Sequence, residues 1–522
     1  MAAWIDRPSR RKFLWGGAGA VGAATVAGCT TLPSLETVEG PWDCGVASGL
    51  HSPDAAVLWT RFAPAVISSV ELAWEVATDA GFAAVVASGT VAVDADTDGC
   101  AKVLAEGLAP GVRHWYRFLV GDLASPVGRT KTLPEAGASP ASIRLAVASC
   151  QDFSSGWYPA WREVADTDVD AVLHLGDYIY EKAGSPNPIW GVRDDPSDAA
   201  VDLATYRAKY RMYRSDPDLR AAHAAHPFSP VWDDHEFVNN HDRARIAEDA
   251  VRAADAHRAW FEYQPVWPID GTRIYRRHRF GDLLEVSMLD TRQYRDPNPD
   301  AQILQVTSVP PASMVHDEGR SILGTDQRDW LLDGLGAAQG DGVRWKLLGQ
   351  QVMVAPLRWI DLDEPVFGDV PRHAGVYFNL DQWDGYSAER DLLTAFLHDE
   401  GISDTGVLTG DIHSFWQSSI HLDIEDHHSP AVAQEFVCGS VSSVAISFSR
   451  ELAQAFSAFT KGFSPWFRWV DWGRRGYGLL TATQDDINVE YRVLDPRVRN
   501  AAGHTAAGFD WAAGTTDVSV TV

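Results

Sequence analysis

Four short apolar runs of this chain each end in residues of the types that bind metal ions. The carboxyl ends of neighbouring parallel strands meet at one edge of a sheet, where open α/β sheets bind their ligands. A single run ending in aspartate is commonly a turn or a helix cap, but four such runs together predict a metal site. The runs are residues 143–149, 171–175, 230–232 and 407–409, followed by Cys150, by Asp177, by Asp233 to Glu236, and by Asp411 to His413.

The segments around the first two runs have the order strand, helix, strand. Residues 143–149 and 171–175 are apolar, and residues 158–165 between them have a helical pattern. Such an alternation favours parallel strands and an α/β fold. Cys150 and Asp177 are therefore expected at the same edge of the sheet.

As a set, these motifs resemble the PhoD-type alkaline phosphatase and phosphodiesterase family of the calcineurin-like metallophosphatases, although Asp-His-Glu stands in place of Asn-His-Glu. The spacing of Asp177 and Tyr180 resembles that of the purple acid phosphatases, in which a tyrosinate binds ferric iron. The resemblance extends from about residue 42 to about residue 494. The strings that carry it include Val147-Ala-Ser-Cys150, His174-Leu-Gly-Asp-Tyr-Ile-Tyr-Glu181, Trp232-Asp-Asp-His-Glu236, Leu289-Asp-Thr-Arg292, Asp381-Gln-Trp-Asp-Gly-Tyr386 and Gly410-Asp-Ile-His413.

The resemblance implies an α/β catalytic domain at residues 140–498, built as a metallophosphatase double β-sheet sandwich flanked by helices. A small all-β domain of the immunoglobulin or fibronectin type is predicted before it, at residues 41–134. There, Leu72 and Val76 alternate with polar or small residues, as do Tyr116 and Phe118, which indicates half-buried strands. Residues 499–522 are assigned to a C-terminal tail, in which 517–522 alternate like a final strand.

Four of the candidate ligands fit an iron site. Asp177 is the natural bridging ligand, because the two oxygens of a carboxylate can hold two cations. Deprotonated Tyr180 and Cys150 are anionic ligands that favour iron over magnesium or calcium, and His413 adds a nitrogen. The resemblance implies that this ion is Fe3+ and that Ca2+ lies beside it.

The remaining candidate ligands fit the calcium ion. Asp234 and Asp411 supply hard carboxylate oxygens, which calcium prefers. Either Asn240 or Asn239 adds an amide oxygen, and we take Asn240 as the candidate.

Two further residues are predicted to act in catalysis. His235 is the candidate general acid that protonates the leaving oxygen, with either Glu236 or Asp233 orienting its imidazole. Arg292 either clamps the phosphate, for which an arginine fork is suited, or makes a structural contact with Asp290.

Three other side chains have more ordinary interpretations. His174 lies inside an apolar run, which predicts a histidine of the core rather than a ligand. Trp383 and Tyr386 either stack on an organic leaving group at the mouth of the site or pack in the interior.

The resemblance implies a metal-dependent phosphoric ester hydrolase in which a hydroxide held by the cations attacks phosphorus in line. The alternative is a phosphodiesterase or phospholipase-D-type enzyme that acts on phosphodiesters of the cell envelope, since both would share the metal centre. A non-catalytic envelope-binding lipoprotein is a further alternative, which the intact ligand set argues against.

The charge of the chain limits its partners. Its 522 residues contain 44 Lys and Arg against 71 Asp and Glu, for a net charge of −27. Such a chain repels nucleic acids and anionic lipids, so we expect no nucleic-acid-binding surface. A phosphate-ester substrate can still bind, because bound cations locally invert the sign of the charge.

The first 28 residues are interpreted as a twin-arginine signal peptide. Arg10 and Arg11 precede a weakly apolar run at residues 15–27, which is too short to span a membrane. Cys29 follows a sequence that resembles a bacterial lipobox, so it is either a lipidated N-terminus or a chance cysteine. We therefore expect a monomer exported by the twin-arginine machinery to the periplasm or the cell exterior, with a membrane contact only through Cys29.

The five cysteines are too few for a disulfide scaffold. Apart from Cys29 and Cys150, the chain has Cys44 and Cys100, which either form a disulfide in the β domain or remain free. Cys438 is expected to be a buried thiol.

Overall fold

The computed structural model describes residues 40–183, 191–298, 315–361, 373–378, 380–424, 426, 428–444, 450–464 and 466–522. The predicted signal peptide and Cys29 lie outside these residues. Within the described ranges, no helix is long and apolar enough to cross a membrane.

The regular elements of residues 40–134 are eight strands and two short 3-10 turns. The strands are β1 (Val46–Ser52), β2 (Ala55–Arg61), β3 (Val70–Ala77), β4 (Val85–Val93), β5 (Cys100–Glu106), β6 (Arg113–Val120), β7 (Leu123–Ala124) and β8 (Gly128–Lys131). As predicted, Leu72, Val76, Tyr116 and Phe118 point into one apolar core.

Strands and helices alternate over much of the rest of the chain. The helices are α1 (Pro159–Asp166), α2 (Leu203–Arg214), α3 (Pro217–Ala225), α4 (Arg243–Glu248), α5 (Ala250–Tyr263), α6 (Thr325–Gly340), α7 (Ser387–Asp399) and α8 (Arg450–Phe463). The strands up to residue 361 are β9 (Ile143–Ala148), β10 (Ala171–His174), β11 (Pro227–Pro230), β12 (Arg276–Phe280), β13 (Leu284–Met288), β14 (Trp345–Gln350) and β15 (Arg358–Asp361). The later strands are β16 (Gly375–Tyr377), β17 (Thr405–Thr409), β18 (Phe415–His421), β19 (Ala431–Cys438), β20 (Phe467–Asp471), β21 (Arg475–Ala482), β22 (Asp486–Leu494), β23 (His504–Ala512) and β24 (Val518–Thr521).

Two large mixed sheets form the body of the molecule. One has ten strands in the order β24-β23-β22-β21-β9-β10-β11-β1-β2-β5, and the other has seven in the order β12-β13-β14-β17-β19-β18-β20. β9, β10 and β11 run parallel to one another, as do β13, β14, β17 and β19. The α/β fold with paired sheets and flanking helices is thereby confirmed.

Large aromatic side chains fill the space between the two sheets. Trp345 of β14 lies edge-on to Trp511 of β23, with ring centroids 4.8 Å apart, and its indole nitrogen donates to the Thr483 carbonyl oxygen. Phe436 of β19 likewise contacts Phe509 of β23. The predicted tail therefore supplies two strands and part of the core.

The N-terminal strands divide between two sheets. β3, β4, β6, β7 and β8 form a separate sheet, whereas β1, β2 and β5 extend the ten-stranded sheet of the catalytic region. The junction is a parallel pairing in which Gly49 of β1 is opposite Phe228 of β11. The sequence pattern does not reveal this continuity, because alternation identifies strands and not their partners.

The cysteines of this region are not bonded to each other. Cys44 and Cys100 are both buried free thiols, so the disulfide alternative is wrong. Cys438 is a buried thiol, as predicted.

β1 packs closely against the segment after α5, and this contact can be tested by substitution. A Cβ atom at Gly49 would lie 1.7 Å from the carbonyl oxygen of Pro265. We therefore expect Gly49→Ala to lower the free energy of unfolding by about 1–3 kcal/mol, the usual cost of overpacking a core. Urea denaturation followed by circular dichroism measures this change.

Gly340→Ala is the matched control, because nothing lies within 4 Å of a Cβ atom at this end of α6. It should change the stability by less than about 0.5 kcal/mol. Equal stability of the two variants would contradict the close packing of β1 against residue 265.

Candidate metal centre

The ends of four strands bring the predicted ligands together. Cys150 follows β9, Asp177 follows β10 and Asp234 follows β11, which are adjacent parallel strands of the ten-stranded sheet. Asp411 and His413 follow β17 of the other sheet. The site therefore lies where the carboxyl ends of strands from both sheets meet.

The backbone is left-handed at five of the predicted ligands. Cys150, Asp177, Asn240, Asp411 and His413 have φ angles of 58°, 56°, 55°, 57° and 57°. This conformation costs a residue with a Cβ atom on the order of 1 kcal/mol or more, so it persists only where the surrounding contacts impose it. Its concentration at these positions supports their assignment as a candidate functional site.

The loop after β10 depends on a glycine. Gly176 has a φ of +101°, and a Cβ atom there would lie 2.4 Å from the Cβ atom of Asp233. The loops after β9 and β10 are then joined by the Cys150 N–H, which donates to the Gly176 carbonyl oxygen at 3.0 Å. Close backbone packing thus fixes where Cys150 and Asp177 lie.

One group of donor atoms comes from both sheets. The thiol of Cys150, a carboxylate oxygen of Asp177 and a ring nitrogen of His413 all lie within 4.8 Å of one another. The Tyr180 hydroxyl donates to Asp177 Oδ2 at 2.7 Å and lies 3.0 Å from His413 Nε2. The hydroxyl of Ser443 lies 2.6 Å from that of Tyr180.

Burial keeps the thiol and the phenol of this group protonated unless a cation is present. Burial and the nearby Asp177 carboxylate hold the pKa of Cys150 well above its usual range. The same two causes hold the pKa of Tyr180 well above its usual range. A positive ion between them would reverse both shifts, since it favours the anionic forms.

A second group consists mainly of carboxylates. Asp177, Asp234 and His235 have donor atoms within 4.8 Å of one another, as do Asp233, Asp234 and Asp411. Burial raises the pKa of Asp411; the charge of Arg292 opposes this shift, and the charges of Asp381 and Asp234 add to it. Burying several carboxylates together is costly unless a cation compensates them.

Asp234 remains ionised within this group. Burial alone would raise its pKa, but the charges of His235 and Arg292 lower it, as does the Asn240 N–H, which donates to Asp234 Oδ2 at 2.6 Å. The contact of Asn240 is thus made by its backbone, and the ligand role of its amide stays a prediction. Asn239 is exposed, and its backbone N–H donates to Glu181.

Arg292 is fully buried among three carboxylates. Its Nε donates to Asp233, its Nη1 to Asp381 at 2.7 Å and its Nη2 to Asp411 at 2.7 Å. Its backbone N–H also donates to Asp290 Oδ1 at 3.0 Å. These contacts favour a role in positioning Asp411 over the predicted direct contact with phosphate.

The imidazole of His235 is oriented by a residue that the sequence did not single out for this role. Its Nδ1 donates to Glu181 Oε2 at 2.6 Å. The expectation that Glu236 or Asp233 orients it is wrong, because both are engaged elsewhere. Glu236 accepts the backbone N–H groups of Asp177, Tyr178 and Asp233, and Asp233 pairs with Arg292.

The charge around His235 favours its protonated form. Burial lowers its pKa, but the carboxylates of Asp234, Asp177 and Glu181 outweigh burial and raise the pKa to about 10. A protonated imidazole at neutral and mildly alkaline pH is what a general acid requires.

Several contacts of the site come from segments that sequence reasoning left unassigned. The Gln382 amide donates to Asp411 Oδ2 at 2.7 Å, and Asp381 pairs with Arg292 and Arg295. The motif that begins at Asp381 was the only available signal for these two residues. Ser443 carried no such signal.

The core interpretations of the other side chains agree with the structure. His174 is fully buried, and burial lowers its pKa to about 3. Trp383 and Tyr386 are each 1% exposed and pack in the interior, so neither is available to stack on a leaving group.

Comparisons with known proteins show the family of this chain. The family model for the PhoD-like phosphatase matches residues 145–491, and the model for its N-terminal domain matches residues 28–134. The chain belongs to the PhoD-like phosphatase family. Alkaline phosphatase D of Bacillus subtilis (strain 168) is 34% identical over 514 residues, covering 93% of this chain and 84% of that protein. A solved structure of PhoD matches with a TM-score of 0.83 and 32% identity, over 92% of each chain.

This PhoD-like phosphatase is therefore a phosphoric ester hydrolase. Its donor set fits metal ions on chemical grounds. A thiol, a phenol and an imidazole converge on Asp177, and a crowd of buried carboxylates lies beside them. Once their acidic groups lose protons, the two groups together carry more negative charge than Arg292 and protonated His235 compensate.

The contact between Glu181 and His235 makes a testable prediction. In Glu181→Gln, the imidazole loses a neighbouring charge that raises its pKa, so His235 should lose its proton at lower pH. We expect the alkaline limb of the pH profile of kcat to move to lower pH, and kcat to fall about 10- to 100-fold. Hydrolysis of a chromogenic phosphate ester across a pH series measures both.

Glu75→Gln is the control, because Glu75 pairs with Arg117 in the N-terminal sheet. Its pH profile should match that of the wild type. An unshifted alkaline limb in Glu181→Gln, with the metal content unchanged, would show that Glu181 does not act through His235.

Proposed function

We propose that this phosphatase is an exported enzyme with a centre of Fe3+ and Ca2+ that hydrolyses phosphate esters. The observation that carries the proposal is the convergence of Cys150, Tyr180 and His413 on one carboxylate, Asp177. Thiolate, phenolate and imidazole are ligands of iron rather than of calcium or magnesium.

The two ions are assigned by the chemistry of their ligands. Cys150, Tyr180, His413 and Asp177 would hold Fe3+. Asp234 and Asp411 would hold Ca2+, which prefers hard oxygen ligands. Asp177 would serve both ions, because its donor atoms belong to both groups.

The residues around the centre have separable roles. When bound, the cations would supply positive charge for the phosphate oxygens and lower the pKa of water. His235 donates a proton to the leaving oxygen, and Glu181 holds its ring in place. Arg292 fixes Asp411, and the Ser443 hydroxyl fixes that of Tyr180.

Comparing the hydrolysis rates of a phosphomonoester and a phosphodiester would narrow the substrate class. The metal centre serves monoesters and diesters alike, including phosphodiesters of the cell envelope, so the rim of the site decides between them. We would assay the same iron-loaded enzyme, with calcium added, on a chromogenic phosphomonoester and on the corresponding diester. The ratio of the two hydrolysis rates shows which class of ester the enzyme prefers. Hydrolysis of neither ester would contradict the proposed function.

Cys150→Ser tests the iron site. The hydroxyl of serine is a poor ligand for iron at this position, so we expect loss of bound iron while the chain stays folded. Loss of a residue that only hydrogen-bonds to a metal ligand lowers activity roughly 10- to 100-fold. Loss of a direct ligand should lower the activity by more than this. Elemental analysis and the ester assay measure the two effects.

Cys438→Ser is the matched control, because Cys438 is also a buried free thiol but does not belong to the cluster of donor atoms. It should keep both its iron and its activity. Iron retained in Cys150→Ser would remove this residue from the ligand set.

We further propose export by the twin-arginine machinery, with Cys29 as a lipid anchor after cleavage. The support is the sequence of the first 29 residues, with Arg10 and Arg11 ahead of a short apolar run. This route would place the active site in the periplasm or outside the cell.

The export proposal predicts the outcome of a double substitution. Changing Arg10 and Arg11 to Lys keeps the charge but removes the arginine pair, so the protein should accumulate in the cytoplasm. Cell fractionation followed by immunoblotting measures this. Arg7→Lys is the control and should be exported, and continued export of the double variant would contradict the twin-arginine route.

A further inference from the structure

A cleft of about 380 Å³ lies outside the metal centre, between the end of β1 and the start of β12. Its lining includes His51, Trp267, Arg273, Arg276, Arg277 and Trp330, and we call it the arginine cleft. β1 runs parallel to β11, and Arg276 of β12 is opposite Met288 at the end of β13. The cleft therefore opens at the same end of the paired sheets as the metal centre.

Arg276 is the most buried cation of this cleft, with 8% of its surface exposed. Its Nε donates to the Ile274 carbonyl oxygen at 3.1 Å and its Nη1 to that of Trp267 at 3.3 Å. Its Nη2 is buried and has no hydrogen-bond partner among the described residues. Through the two carbonyl contacts, Arg276 holds the loop before β12. These contacts leave the N–H groups of Nη2 without an acceptor in the described parts of the chain.

Among the described residues, no carboxylate forms an ion pair with Arg276, and the only charged neighbour that shifts its pKa is Arg273. By contrast, Arg277 pairs with Glu285 and Arg279 pairs with Asp341. A buried charge without a counter-charge is costly, even where carbonyl oxygens accept some of its hydrogen bonds, so a ligand that supplies the opposite charge would stabilise it. The chain has a net charge of −27, and this local excess of positive charge opposes the overall sign.

The described residues that line the cleft include no carboxylate, although Asp54 and Glu106 lie near enough to His51 to raise its pKa. Burial and the neighbouring Arg273 lower the pKa of Arg276 to about 10. Burial and the charge of Arg276 lower the pKa of His278 to about 3 and also lower that of His51. Both imidazoles are therefore neutral at pH 7, and an anion in the cleft would meet cations and neutral donors.

The walls of the cleft are aromatic. The guanidinium of Arg277 lies 4.3 Å from the ring centre of Trp330, and that of Arg273 lies 5.7 Å from it. Trp267, Pro268 and Ile269 form another part of the lining. Such walls fit a flat or apolar group, while the guanidinium groups of Arg276 and Arg273 offer N–H donors and positive charge to a phosphate or a carboxylate.

We propose that the arginine cleft is a binding site for an organic anion, separate from the metal centre. The phosphate or carboxylate end of the ligand contacts Arg276 and Arg273, and its flat or apolar body lies against Trp330 and Trp267. The volume of the cleft admits a small molecule of this kind. The proposal does not depend on the identity of the metals.

Isothermal titration of the full-length protein with phenylphosphonate, benzoate and benzamide tests this site. We expect at least one of the two anions to bind, and the neutral amide to bind at least about tenfold more weakly, since a charged hydrogen bond contributes about 1.5–3 kcal/mol. The preferred anion shows whether the cleft selects phosphate or carboxylate. Equal binding of benzamide and of both anions would overturn the proposal.

Variants separate this cleft from the metal centre, where phenylphosphonate can also bind. Arg276→Gln should weaken the binding of the preferred anion at least about tenfold. Arg279→Gln is the matched control on the same strand, because Arg279 pairs with Asp341 outside the cleft lining. It should bind as the wild type does.

Arg273 is less buried than Arg276, so Arg273→Gln provides a second variant if Arg276→Gln does not fold. It should also weaken binding of the anion and leave the iron content and the basal ester hydrolysis unchanged. Unchanged anion affinity in the folded variants would overturn the proposal.

Discussion

Buried negative charge at the meeting edge of two sheets is the constraint on which the rest of the structure depends. Asp177, Asp233, Asp234 and Asp411 crowd into one site, together with a thiol and a phenol whose pKa values burial raises. One guanidinium, that of Arg292, offsets part of this charge. Such a group is stabilised either by protonation of part of its acids or by bound cations. The second state is the one that lets the same residues bind a phosphate ester.

The fold meets this constraint with rigid backbone rather than with long side chains. Strand ends from both sheets aim short ligands at one point, and five of those ligands adopt left-handed backbone conformations. Glu236 ties the loops after β10 and β11 together by accepting three backbone N–H groups. Between the two sheets, the edge-on contact of Trp345 with Trp511 packs one sheet against the other. The arginine cleft at the same end of the molecule presents the opposite imbalance, a buried cation without a carboxylate.

Much of the candidate site could be predicted because its candidate ligands directly follow apolar runs in the chain. Cys150, Asp177, Asp234, Asp411 and His413 each lie within a few residues of a strand end, and parallel strands must bring their carboxyl ends to one edge. Glu181, Gln382 and Ser443 could not be placed in the same way. Each reaches its partner through a loop, and loop paths are set by packing that no local pattern encodes. The sequence did not reveal the positioning role of Arg292 for the same reason, since its three carboxylate partners come from three distant segments.

The sequence by itself determined the α/β class, the strands of the N-terminal region and the chemical character of the ligand set, because periodicity and residue type are local properties. The tertiary structure alone decided that β1, β2 and β5 join the catalytic sheet and that β23 fills the core with Trp511. It also decided that Cys44 and Cys100 remain free thiols, and that Glu181 rather than Glu236 orients His235. These outcomes depend on contacts between residues far apart in the chain, where the shape and charge of the packed partners select among pairings that the sequence leaves equally open.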